Sequence, residues 1–367
     1  MRKILSLAAM VAVASCGGAA QDDFAKATPS FDSVALEISD ADAVPENFEA
    51  PASTQQALAA DAQVAVEDPC HPHLFLRTHA IVAATNGGIW RVLRPIRKLI
   101  PFSPKRRDGS THVWERVVDG FDFKYSIVKT GDHSFTATLQ VKKVSDPDTA
   151  FVTVYDASVQ RDPSAGDGSG NATLDLDKLA SVTGDAVSGR LTLSFNRTPA
   201  EKKVVVTMTN FKVNSDPARN GHFVFDKQTG KGGSLKFIDD MVLRCTGQTP
   251  PAAGTTPVTA VARWLVATDG IHFRGDAGAT GGQVPANEKW EGVTCAQGRD
   301  PRETFWMMKL EDTTTGMTIS AHSSQNTVAT AAACDPAFGP VPAIDNAATD
   351  YDFTKVDFTS DDPLPFP

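Results

Sequence analysis

Residues 121–143 read FDFKYSIVKTGDHSFTATLQVKK. In the first half Phe121, Phe123, Tyr125 and Ile127 alternate with Asp122, Lys124, Ser126 and Val128. In the second, Phe135, Ala137, Leu139 and Val141 alternate with Ser134, Thr136, Thr138, Gln140 and Lys142. A period of two puts one set of side chains on each face of a strand, so both halves predict strands with one apolar and one wet face. Gly131 and Asp132 between them tolerate positive φ and predict a tight hairpin. Asp119-Gly120 does the same upstream, where another strand begins near Thr111.

Working outward, further strands are expected at 151–160, 191–196, 204–213, 222–226 and 234–243, with a turn at Gly230-Lys231-Gly232-Gly233. Residues 174–180 read equally as strand or short helix. Upstream, Phe75, His79, Val82 and then Ile89, Val92 or Leu93, Ile96 and Leu99 or Ile100 recur at helical spacing. They predict one helix or two, with a break at Asn86-Gly87-Gly88 and a kink at Pro95. Sequential hairpins with one apolar face form a meander, and these helices are the local candidates to cover it. The expected fold class is α+β: N-terminal helices packed on a long, curved, mainly antiparallel β-meander, open and half-barrel-like, followed by a small β-rich module. The shape resembles the open half-barrel of periplasmic lipoprotein carriers and of some cell-wall lipid-binding lipoproteins, a likeness of architecture that carries no function by itself.

Residues 247–257, GQTPPAAGTTP, read as a linker between a domain at 70–246 and the small module at 258–334. In that module Trp264, Trp290, Phe305 and Trp306 supply the bulk of the core. Residues 335–367 are rich in Pro, Ala and Asp and read as a mostly disordered tail, with YDFTKVDF at 351–358 a candidate added strand.

The chain opens with MRKILSLAAMVAVASC. Arg2 and Lys3 precede an apolar run of about ten residues, too short to cross roughly 30 Å of hydrocarbon as a helix, which predicts a secretory signal. Val13-Ala14-Ser15-Cys16 resembles the bacterial lipobox. The resemblance implies cleavage by signal peptidase II, leaving residues 1–15 as signal and Cys16 as the lipidated N-terminus. Gly17 in the next position points, by lipoprotein sorting, to the outer membrane. Residues 17–69 carry eleven acids against one cation, Lys26, and with residue 16 read as a flexible acidic tether. Such a coil spans roughly 40 Å. The stretches CHPHLFLRTH, THVWE, ARWLVATDG, WEGVTCAQG and FWMMKLED are similar to a family of lipoproteins from predatory soil bacteria, a resemblance that implies no activity.

Most of the net charge of −9 belongs to the tether, so the rest is close to neutral, which argues against a nucleic-acid partner. Cys16 aside, Cys70, Cys245, Cys295 and Cys334 form an even set in an exported chain and predict two disulfides. Three pairings exist; the linker favours Cys70 with Cys245 and Cys295 with Cys334.

Sites of chemistry are sparse. Cys70, His71, His73 and His79 have metal-ligand chemistry, but His73 and His79 lie on different faces of a helix. Asp162, Asp167, Ser169, Asn171, Thr173, Asp175 and Asp177 resemble a calcium loop loosely, with Ala172 where glycine and Lys178 where an acid is needed, and read as a solvated loop. No Gly-Xaa-Ser-Xaa-Gly or HExxH pattern occurs. No catalytic residue and no metal are assigned, and the covalent lipid on Cys16 is the one prosthetic group expected. The function expected is an envelope-anchored, non-enzymatic binding or structural module. Its hydrophobic ligand would lie between sheet and helices, against Phe121, Phe123, Tyr125, Phe135, Leu139, Leu191, Leu193 and Phe195. One alternative is a surface module that binds an envelope protein through Trp264, Trp290 and Trp306; the other is a hydrolase.

Overall fold

The hairpin read from residues 121–143 is present in the computed structural model. It describes residues 24, 27, 28, 34, 36, 74–162, 167–213, 217–240, 257–266, 272–282, 284, 286–297, 305–323 and 356–364. Strand β3 (Phe121–Lys129) pairs antiparallel with β4 (Ser134–Lys143), setting Tyr125 opposite Leu139 and Ile127 opposite Ala137. The alternating apolar set, from Phe123 to Val141, is buried. Upstream, β2 (Thr111–Val118) joins β3 through Asp119 and Gly120, both at positive φ (53° and 86°), the geometry of a tight two-residue turn.

The same pattern repeats along the chain. β1 (Arg106–Asp108) precedes β2; after β4 come β5 (Val152–Asp162), β6 (Asp167–Asp175), β7 (Val187–Arg197), β8 (Glu201–Val213), β9 (Arg219–Gln228) and β10 (Gly232–Asp239). Then follow β11 (Val258–Val266), β12 (His272–Thr280), β13 (Glu288–Gln297), β14 (Phe305–Asp312) and β15 (Thr318–Ser323). All fifteen form one sheet in sequence order, each antiparallel to its neighbours, and the first and last do not meet, so the sheet is open. The exposed edge β1 is short and fully charged, which blunts pairing with another chain.

Of the expected α+β fold the antiparallel β-meander is present, and the described chain is mostly one large antiparallel sheet with few helices. Strands β10 and β11 pair across the supposed linker over eight positions, from Gly232 opposite Leu265 to Asp239 opposite Val258. The Pro/Gly/Thr-rich run lies within the connection between two paired strands, a role its composition does not distinguish from that of a linker. At the junction Trp264 lies across Gly233, where an added Cβ would sit 2.6 Å from Trp264 Cζ2.

Strand β6 replaces the solvated Gly/Asp loop expected there. Its glycines suppressed the strand pattern, yet Gly170 must be glycine: a Cβ would lie 2.4 Å from the Ser158 carbonyl and 3.0 Å from the Phe195 ring that covers it. The ambiguous 174–180 segment contains the start of helix α2 (Leu176–Thr183), capped by the Asp175 carboxylate, which accepts from Lys178 N at 3.0 Å. Gly184 closes it at φ 75°.

Helix α1 (Leu74–Leu99) runs unbroken through Asn86-Gly87-Gly88 and contains Pro95. Asn86 is buried, and its amide serves the backbone of Leu36 twice: Leu36 N donates to Oδ1 and Nδ2 donates to the Leu36 carbonyl, each at 2.8 Å. Val82, Ile89, Trp90, Leu93, Ile96 and Leu99 join the buried cluster that the sheet residues form, and the helix touches β2, β3, β7 and β12.

Within the stretch read as a tether, Phe24, Ala27, Thr28, Val34 and Leu36 are buried. Phe24 stacks on His112 at 3.9 Å, and Tyr125 Oη donates to Thr28 Oγ1 at 3.1 Å. A composition averaged over 53 residues hides these few apolar anchors. In the stretch read as a disordered tail, residues 356–364 lie on the outer face as an irregular segment, with Leu364 against Val261. Lys236 Nζ donates to the Asp357 carbonyl at 2.6 Å and to Ser360 Oγ at 3.3 Å.

On that outer face Asp226 is buried opposite Lys203 and Ser234. Burial, then a hydrogen bond with the Glu201 carboxyl, pushes its pKa up to about 6. The folded chain therefore holds a proton that the unfolded chain releases near pH 4, and stability falls as pH rises from about 4 to about 6. Asp226→Asn is expected to stabilise by about 1 kcal/mol at pH 7.5, a figure discounted for solvent screening, and to gain nothing at pH 3.5. Thermal melting at the two pH values reads this; an equal shift at both would refute it.

Candidate ligand-binding cleft

A cavity of about 430 Å³ opens between the C-terminal half of α1, the β2–β3 turn and α2. Trp90, Arg94 and Lys98 are spaced four apart and so share one helix face, which forms one wall together with Pro95. Val118, Asp119, Phe121 and Phe123 come from the hairpin, because the tight turn sets Val118 opposite Phe121. Leu179, Thr183 and Asp185 come from α2 and its exit. Thr183 Oγ1 donates to the Leu179 carbonyl at 2.9 Å and accepts from Asp185 N at 3.2 Å, which fixes that wall.

The cleft is therefore two-sided in chemistry. Trp90, Val118, Phe121, Phe123 and Leu179 make an apolar lining, while Arg94, Lys98, Asp119, Thr183 and Asp185 supply polar groups. Lys98 Nζ bonds Asp119 Oδ2 at 3.0 Å, and the Arg97 guanidinium stands 5.3 Å over the Trp90 ring. The hydrogen bond from Lys98, then its charge, holds the Asp119 carboxyl below the usual carboxylate range, so Asp119 is ionised at neutral pH. The volume lies within the range of roughly 300–1,000 Å³ usual for small-molecule pockets.

Of the eight residues expected against a ligand, Phe121 and Phe123 line the cleft. Tyr125, Phe135, Leu139, Leu191, Leu193 and Phe195 are all 4% exposed or less and belong to the buried core cluster, away from the cavity lining. Sequence reasoning did not find Trp90, Arg94, Lys98, Leu179, Thr183 or Asp185. The four-residue spacing of the first three was visible, but not which way that face points.

Cys16, Cys70, Cys245 and Cys334 fall outside the described residues, as do His71 and His73. The backbone of Cys295 lies in β13, opposite Arg274. Among the described residues no group of three His, Cys, Asp or Glu could hold a metal. Trp264 is buried and Trp290 half-buried, so an exposed patch of three tryptophans does not include Trp264. No described helix is long and apolar enough to cross a membrane. Comparison with family models, curated proteins and solved structures finds no match to this chain.

Proposed function

We propose that this is an envelope lipoprotein, anchored through a lipid on Cys16, that holds a hydrophobic ligand in the cleft and catalyses no reaction. The observation that carries the reading is the cavity itself, with aromatic lining from Trp90, Phe121 and Phe123 and charged groups beside it. A long apolar ligand would bury its chain on that lining and present a polar end to Arg94 and Lys98. The finer architecture belongs to the same proposal. Helix α1 touches β2, β3, β7 and β12 and shares their buried cluster, which supports a sheet curving round the helix as an open half-barrel.

The test uses residues 17–367, purified without an acyl group and titrated with oleate under native mass spectrometry. One oleate per chain is expected. Thr183→Trp, which fills the cavity from the α2 side, is expected to weaken binding at least tenfold in a chain that still folds, with a somewhat lower melting temperature because the two hydrogen bonds of the Thr183 hydroxyl are lost. No adduct with the parent chain, or equal binding by the filled variant, would overturn the cleft as the site.

A further inference from the structure

We infer that the face built from the end of α1, β1 and β2 is a docking surface for an anionic phospholipid bilayer, independent of any cargo in the cleft. Residues 94–119 carry Arg94, Arg97, Lys98, Lys105, Arg106, Arg107 and Arg116 against Asp108, Glu115 and Asp119, a net charge of +4 in a chain whose total is −9. Linear clustering alone would say little, since a run of cations is usually a solvated face. The contacts supply what the sequence lacks, because they fold the segment back along one strand. Lys98 reaches Asp119 at 3.0 Å and Lys105 reaches Glu115 at 2.6 Å. Trp114 Nε1 donates to the Phe102 carbonyl at 2.9 Å. Lys98, Lys105, Arg106 and Arg107 therefore lie along β2, Arg106 with Asp108 3.5 Å from its guanidinium.

An apolar group stands out of that basic surface. Phe102 is 51% exposed. Phe102 is not a loose side chain. Its carbonyl is held by Trp114, and the Arg116 guanidinium lies 3.7 Å from the ring centroid. A half-exposed aromatic ring held under a guanidinium matches the two parts of an interfacial contact. Cations meet lipid phosphates, and an aromatic ring sits at the level of the head groups. Arg94 and Lys98 belong both to this face and to the cleft wall, so a docked protein would hold the cleft close to the membrane surface.

The experiment is sedimentation of residues 17–367 with phosphatidylcholine vesicles, with and without 30% phosphatidylglycerol, at low salt. Binding is expected only with phosphatidylglycerol, falling as salt screens the charges. Arg106→Glu/Arg107→Glu leaves every cleft residue in place and is expected to weaken binding at least tenfold. Phe102→Ser is expected to weaken it severalfold. Reversal at exposed Lys212 and Lys231 is expected to leave it within twofold. Absence of binding to phosphatidylglycerol vesicles, equal binding to pure phosphatidylcholine, or unchanged binding by the Arg106/Arg107 variant would overturn the inference. That variant is expected to take up oleate like the parent, so failure here and failure of the cleft reading remain separate results.

Discussion

Replacement of Trp264 by alanine is expected to cost about 3–5 kcal/mol, the range for deleting a fully buried aromatic side chain. Trp264 is 2% exposed and covers Gly233 on the neighbouring strand, so the deletion empties the seam between β10 and β11. Trp264→Phe discriminates. The indole Nε1 finds no hydrogen-bond partner among the described residues, so phenylalanine keeps a ring over Gly233 and removes a buried orphan donor, with a net change within about 1 kcal/mol. Urea unfolding measures both. A loss below 1 kcal/mol for Trp264→Ala would mean that the backbone ladder alone joins the two parts of the sheet.

The second large effect is expected at Asn86. On helix propensity alone, Asn86→Ala should stabilise by about half a kcal/mol. The structure reverses that sign, because alanine leaves both the N–H and the carbonyl of buried Leu36 without the partner that Asn86 supplies. Each buried group left unsatisfied costs about 1–3 kcal/mol, so a net loss of about 2–4 kcal/mol is expected. Faster hydrogen exchange at the Leu36 amide should accompany it. Stabilisation by the alanine would show that residue 36 is not held there.

These two sites also mark where the sequence could and could not be read. Alternation in β3 and β4 was legible because burial on one face of a strand imposes a period of two on the chain itself. The Asn-Gly-Gly in α1 was misleading because its local cost is offset by a partner fifty residues away, which no window on the helix contains. Gly170 in β6 misled for the same reason: the space it frees is filled by Phe195 from the next strand. The cleft was half legible. Strand parity pointed to Phe121 and Phe123, whereas Leu179 and Asp185 enter through a helix whose position depends on how the whole sheet packs. The seam at β10 and β11 was hidden by composition, since Pro and Gly punctuate long connections and domain boundaries alike.

Strict adjacency of the fifteen strands also bears on how the molecule reaches its native form. Every ladder closes between neighbours in the chain, so the sheet can zip up one hairpin at a time from a growing or emerging polypeptide, each step closing a modest loop. The long-distance joins of the C-terminal segment, such as Lys236 to Asp357 and Val261 to Leu364, are left as late latches. A nascent chain arrested after β10 should therefore already protect its early amides, while the final fastening waits for the last residues.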